Sequence, residues 1–193
     1  MKKIPTLFER IYKDHEVIGV THKLTSPKLQ VVLDGKTIPT VKMDGSCCAI
    51  INGKFYKRYD AKKGKKPPEG AIPCSDPDPI TGHYPHWVLV DENNPADKWF
   101  IKAKQGKELP DGTYEAIGPH FQGNPYNLKE DILDRHGSEV VDLEDFSFEG
   151  IKKCLEENYI EGIVFWYNNE PLCKIKRKDF GLEWNCQHNK NQN

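Results

Sequence analysis

Asn52-Gly53 stands between two strand-like runs, Cys47-Cys48-Ala49-Ile50-Ile51 and Lys54-Phe55-Tyr56-Lys57-Arg58-Tyr59. Both turn residues accept the positive φ of a type I′ turn, so the pair specifies an antiparallel hairpin and its register. A second hairpin is expected where residues 163–167 and 172–176 flank Asn168-Asn169. Residues 29–34, 37–43 and 113–117 read as further strands, the first ended by Asp34-Gly35. Helical spacing joins Ile4, Leu7, Phe8 and Ile11, and an amphipathic helix is expected over 128–136 with Gly137 at its C-terminus. Ser147 can cap a helix that carries Ile151, Leu155 and Tyr159 on one face. Residues 96–105 suit a short helix, with a strand still open, and the proline- and glycine-rich 64–86 stretch reads as largely loop. Antiparallel pairs mixed with helices, and no regular βαβ alternation, predict an α+β fold.

At 193 residues the chain fits one domain spanning 1–193 with a substantial core. No apolar run reaches bilayer length, and the basic start is followed by Glu9, Lys13, Asp14 and Glu16 rather than an apolar segment. That excludes a membrane span and an ordinary secretory signal. Six cysteines (Cys47, Cys48, Cys74, Cys154, Cys173 and Cys186) lack any C-x-x-C pair. Reduced thiols and a cytoplasmic setting follow as expectations. Cys74, His83 and His86 are too loosely spaced for a zinc motif. The net charge of −1 conceals lysine clusters at 54–66 and 174–178, against acids gathered over 130–157. A nearly neutral chain can therefore present a basic face to a polyanion.

Lys42-Met43-Asp44-Gly45-Ser46 falls between a strand and the first hairpin. A lysine at a strand end, with a tight Asp-Gly turn behind it, can direct its amine into a cleft. Neighbouring cations would lower its pKa and make it a usable nucleophile. Arg58 and Lys57 lie on the returning strand of the hairpin, where they bring a fixed cation back toward the Lys42 end. Glu115 sits in Thr113-Tyr114-Glu115-Ala116-Ile117-Gly118, and Glu161-Gly162-Ile163-Val164 opens another strand. Strand alternation puts Lys174 and Lys176 on one face. A lysine nucleophile, an arginine, two carboxylates and a K-x-K pair are what phosphoryl transfer uses: cations for phosphate charge, a carboxylate for a divalent metal.

This ordered series resembles the covalent nucleotidyltransferase superfamily of ATP-dependent ligases and capping enzymes. Lys42 to Gly45 looks like its K-x-D-G motif, Arg58 like the arginine that follows, and Glu115 like the acid of the third motif. Glu161 to Val164 and Lys174 to Lys176 are similar to the fourth and fifth. Within it, the chain is most similar to the small ATP-dependent 5′-3′ RNA ligases that a vertebrate RNA-repair ligase represents. Lys42 through Cys48, Asp111 through Gly118, Gly123-Asn124-Pro125-Tyr126, Glu161 through Val164 and Lys174 through Leu182 carry that resemblance.

The resemblance implies an ATP-grasp-like catalytic domain with antiparallel sheets and flanking helices. Too few residues follow Lys176 for the OB domain of DNA ligases and capping enzymes. It implies AMP on Lys42, with Asp44 orienting backbone or a metal-bound water and Arg58 on phosphate. Glu115 is assigned to the ribose or metal, Glu161 to Mg²⁺ or Mn²⁺, and Lys174, ahead of Lys176, to the α-phosphate and pyrophosphate. The implied partners are ATP and RNA bearing 5′-phosphate and 3′-hydroxyl ends, handled by a monomer. An aromatic ring, with Phe121, Phe146 and Phe148 as candidates, would stack on adenine. Lysines 54–66 would steer RNA. Two other readings stand beside it: a related DNA ligase, capping guanylyltransferase or other adenylating enzyme, and a non-catalytic RNA-binding module.

Overall fold

The computed structural model describes residues 3–78 and 81–184, so Cys186 lies outside the described residues. In chain order the elements are β1 (Phe8–Lys13), β2 (Glu16–Leu24), α1 (Gln30–Leu33), β3 (Ile38–Lys42), β4 (Ser46–Ile51) and β5 (Lys54–Ala61). They continue with β6 (Ile72–Pro73), β7 (Tyr84–Leu89), α2 (Lys98–Lys104), β8 (Gly112–Ile117) and β9 (Ile132–Arg135). The last three are α3 (Phe148–Glu157), β10 (Gly162–Tyr167) and β11 (Glu170–Lys176). Each ladder between these strands is antiparallel, which makes the chain α+β. Two compact units result. One joins Ile4–Met43 to the stretch that begins at Gly137; the other is built around Asp44–His136.

The first unit contains the sheet β11-β10-β3 and the ribbon β1-β2. Alternation turns Ile163 and Phe165 of β10, with Cys173 and Ile175 of β11, into a core shared with Leu7, Phe8, Val32, Ile151 and Leu155. Asn168 and Asn169 both have positive φ, 51° and 62°, so the expected hairpin turn is there. Ser147 caps α3 by accepting the Gly150 N–H. Ile151 and Leu155 are buried, while Tyr159 lies past the helix end and is half exposed.

The second unit holds the six-stranded sheet β6-β7-β5-β4-β8-β9. Cys48, Ile50, Tyr114 and Ala116 face a core with Ala103 of α2 and Phe121. Asn52 (φ 50°) and Gly53 (φ 71°) form the predicted turn between β4 and β5. Asp111 secures it, its carboxylate accepting the Asn52 N–H at 2.7 Å and the Gly53 N–H at 3.0 Å. Asp111→Ala is expected to cost about 1 kcal/mol, read as a lower urea midpoint at unchanged slope.

Three expectations fail, two on tertiary pairing and one on a local cap. Residues 4–12 form no helix, because the Leu7 N–H donates to the Lys174 carbonyl and β1 pairs with β2. Ile11, which completed the helical spacing, is 42% exposed. Residues 29–34 form no strand: Ser26 and Pro27 open a 3-10 turn that runs into α1, with Leu29 and Val32 buried one turn apart. Residues 128–136 form no helix, since β9 within them pairs with β8 from Ile117–Ile132 to Tyr114–Arg135. Gly137, at φ 80°, ends that strand rather than a helix. The open choice at 96–105 resolves as helix, in α2.

Candidate active site

In the sheet β11-β10-β3, Gly162 pairs with Lys42 on one side and Lys176 on the other. Two residues along, Val164 pairs with Thr40 and Lys174. With a period of two, these residues share the face opposite the core, so three lysines from two strands converge on one patch. Gly162 lets the rows close. A Cβ there would stand 2.2 Å from the Ile175 carbonyl oxygen.

Glu161 precedes this row and is only 4% exposed. One of its carboxylate oxygens pairs with the Lys42 ammonium, and the other accepts from Lys176 at 2.6 Å. Two cations on one carboxylate satisfy a buried charge that would otherwise be costly. Lys174 has a different environment. Burial first, then Lys42, Lys176 and Arg10, push its pKa down from 10.5 to about 8, against a smaller opposing pull from Glu161. Arg10 reaches the cluster from β1, its Nε donating to Asp179 at 2.8 Å. Asp179 is itself buried and accepts the Lys176 backbone N–H at 2.8 Å. Sequence reading missed Arg10 and Asp179. The Lys176-Arg177-Lys178-Asp179 spacing held a signal, for Asp179 completes a capping box back to Lys176.

Lys42, Glu161, Lys174 and Lys176 are thus brought together in the first unit. Asp44, Arg58 and Glu115 belong to the second. The division between units falls inside the K-x-D-G run, between Met43 and Asp44. The Asp44 N–H donates to the Tyr126 hydroxyl at 2.5 Å, which gives Tyr126 a part that spacing alone did not suggest. Gly45 is obligatory for packing, since a Cβ would stand 2.2 Å from the Ala116 carbonyl oxygen.

Arg58 is held by Asp60 through two hydrogen bonds, at 2.8 and 3.3 Å. Lys57 points to the other face of β5 and pairs with the buried Asp97, so it serves the fold of this unit. Glu115 pairs across strands with Cys47, and its carboxylate meets His136 Nε2 at 2.9 Å. Burial first and Glu115 second push the Cys47 thiol up to about 12. Of the candidate adenine platforms, Phe121 is buried in the second unit's core, while Phe146 and Phe148 pack against the first unit's core. Lys62, Lys63, Lys65 and Lys66 are exposed. Among the described residues, no helix is long and apolar enough to cross a membrane.

The sequence pattern of the RNA ligase 1 family matches residues 88–193, a stretch that includes Glu115, Glu161, Lys174 and Lys176. RNA ligase 1 of Pongo abelii is 27% identical over 225 aligned positions, covering 76% of this chain and 68% of the relative. The Rattus norvegicus and Mus musculus proteins of that name are 27% and 26% identical over 222 positions, with the same coverage. With more than half of its length matched by the family pattern, the chain belongs to the RNA ligase 1 family.

Proposed function

We propose that this chain is an ATP-dependent RNA ligase of the nucleotidyltransferase type, which carries AMP on Lys42 and joins 5′-phosphate to 3′-hydroxyl ends. The observation that carries the reading is the strand row Lys42–Gly162–Lys176, with Glu161 bridging the two ammonium groups and Lys174 two residues away. The relatives named RNA ligase 1 support it.

In the first step the Lys42 amine forms a bond to the α-phosphorus of ATP. The bond to the bridging oxygen breaks, and pyrophosphate leaves with its electron pair. The Lys42 proton has the Glu161 carboxylate as its nearest acceptor. Lys174 and Lys176 neutralise charge on the α-phosphate and the leaving group. Lys174 gains most from an arriving anion, because three cations already face it. The RNA 5′-phosphate then takes AMP from Lys42, and the 3′-hydroxyl displaces AMP to form the phosphodiester. Exposed lysines at 62–66 and the fixed guanidinium of Arg58 supply contacts to phosphates without reading sequence.

Glu161 fits Mg²⁺ or Mn²⁺ as a hard oxygen donor. Both its oxygens pair with lysines, so binding the ion would displace one of those ammonium contacts. Bound there, the ion would neutralise phosphate charge. The test is incubation with each of the four labelled nucleoside triphosphates and divalent metal. Acid-labile label from ATP alone is expected, followed by sealing of nicked RNA in preference to DNA. Label from GTP alone would point to a capping enzyme, and no label from any of them would refute adenylation.

A further inference from the structure

Cys47, Glu115 and His136 stand together on the sheet of the second unit, outside the lysine cluster. Cys47 and Glu115 are a direct cross-strand pair, and Glu115 pairs in turn with Asp134. His136 lies two residues beyond Asp134, its backbone N–H bonded to the Thr113 carbonyl at 3.1 Å, so its side chain returns to the same face. The Cys47 Sγ, a Glu115 carboxylate oxygen and a His136 ring nitrogen lie within 4.8 Å of one another. The Glu115 and His136 side chains are only 12% and 13% exposed. Among the described residues, this is the one group of three or more such donors found so close together.

We propose that Cys47, Glu115 and His136 form a three-ligand site for a soft divalent ion of the zinc class. Sulfur, nitrogen and oxygen donors in one set suit Zn²⁺, whereas Mg²⁺ takes oxygen ligands in octahedral geometry. At ordinary Zn²⁺ bond lengths, ligand atoms in a tetrahedron are roughly 3.3–3.7 Å apart. A separation within 4.8 Å therefore closes with side-chain movement alone. The second shell is already built. His136 Nδ1 is 2.9 Å from the Thr113 hydroxyl, which orients the ring with Nε2 on the Glu115 carboxylate at 2.9 Å, a contact that an ion between the two would replace. The fourth position is open to water or a ligand. A bound ion would occupy Glu115, which the family resemblance assigns to the ribose or a metal; the site itself does not rest on the proposed function.

Titration of the purified full-length protein with Co²⁺ tests the site without any activity measurement. One equivalent is expected to bring up a thiolate-to-cobalt charge-transfer band, and Zn²⁺ should displace it. Cys47→Ser should lose the band, and Thr113→Val should weaken Co²⁺ binding by roughly 10-fold. Cys154→Ser, changed in the other unit, should keep it. No band with the wild type, or a band that survives Cys47→Ser, would overturn the proposal. Near-isosteric Cys47→Ser should keep its circular dichroism. If it does not fold, His136→Gln takes its place, with loss of at least about 10-fold in affinity as the expected result.

Discussion

Lys42→Ala should carry no acid-labile label after incubation with radiolabelled ATP and Mn²⁺, a fall of at least about 1,000-fold from wild type. The alanine removes the proposed nucleophile and leaves its surroundings standing. Glu161 keeps Lys176 at 2.6 Å, and Gly162 still pairs with the β3 backbone, so the sheet should survive. Lys42→Arg separates charge from nucleophilicity. A guanidinium can pair with Glu161, yet it stays protonated and cannot form the phosphoramidate, so it too should remain unlabelled. Label on either variant, located by peptide mapping, would move the attachment site elsewhere and refute the role of Lys42. Sealing of an already adenylated RNA offers a second readout, because that step needs no lysine adduct. It should survive Lys42→Ala in part.

How far the sequence foretold this arrangement depended on whether a feature was local. Asn52-Gly53 and Asn168-Asn169 impose positive φ on their own residues, and both hairpins are where those turns put them. The alternation of Lys174-Ile175-Lys176 was legible for the same reason. Ser147 likewise marked the start of α3. The misreadings at 4–12 and 128–136 came where apolar spacing fitted a helix but a partner strand distant in sequence took the backbone hydrogen bonds. The 29–34 misreading was avoidable, since Ser26-Pro27 is an N-cap followed by proline at N1.

For the site, residue types announced the four groups in the first unit but not their electrostatics. Nothing in Lys174-Ile175-Lys176 says that Arg10, more than 160 positions away, would help to press down one ammonium. The Glu115–His136 contact was hidden in the same way, because His136 was read as the end of a helix rather than as a neighbour of β8.

Lys174 should reveal a conflict between stability and function. Its pKa of about 8 in the folded chain compares with 10.5 when unfolded. Below pH 8 both states hold the proton, and the folded state bears the whole cost of a partly buried ammonium beside three other cations. Between pH 8 and 10.5 the folded chain gives up that proton first, so the unfolded state binds more protons and stability rises with pH. Lys174→Met fills similar space without charge. It should therefore be more stable than wild type near pH 7, by an amount on the order of 3 kcal/mol at most. That advantage should shrink through the window and vanish near pH 10.5. Comparing urea midpoints of the two proteins across the range isolates this residue, because every other titrating group is common to both. The same variant should adenylate poorly, since the cation that destabilises the empty fold is the one an α-phosphate would neutralise. A methionine variant less stable at pH 7, or a stability difference that does not change with pH, would show that Lys174 is not held as a penalised cation.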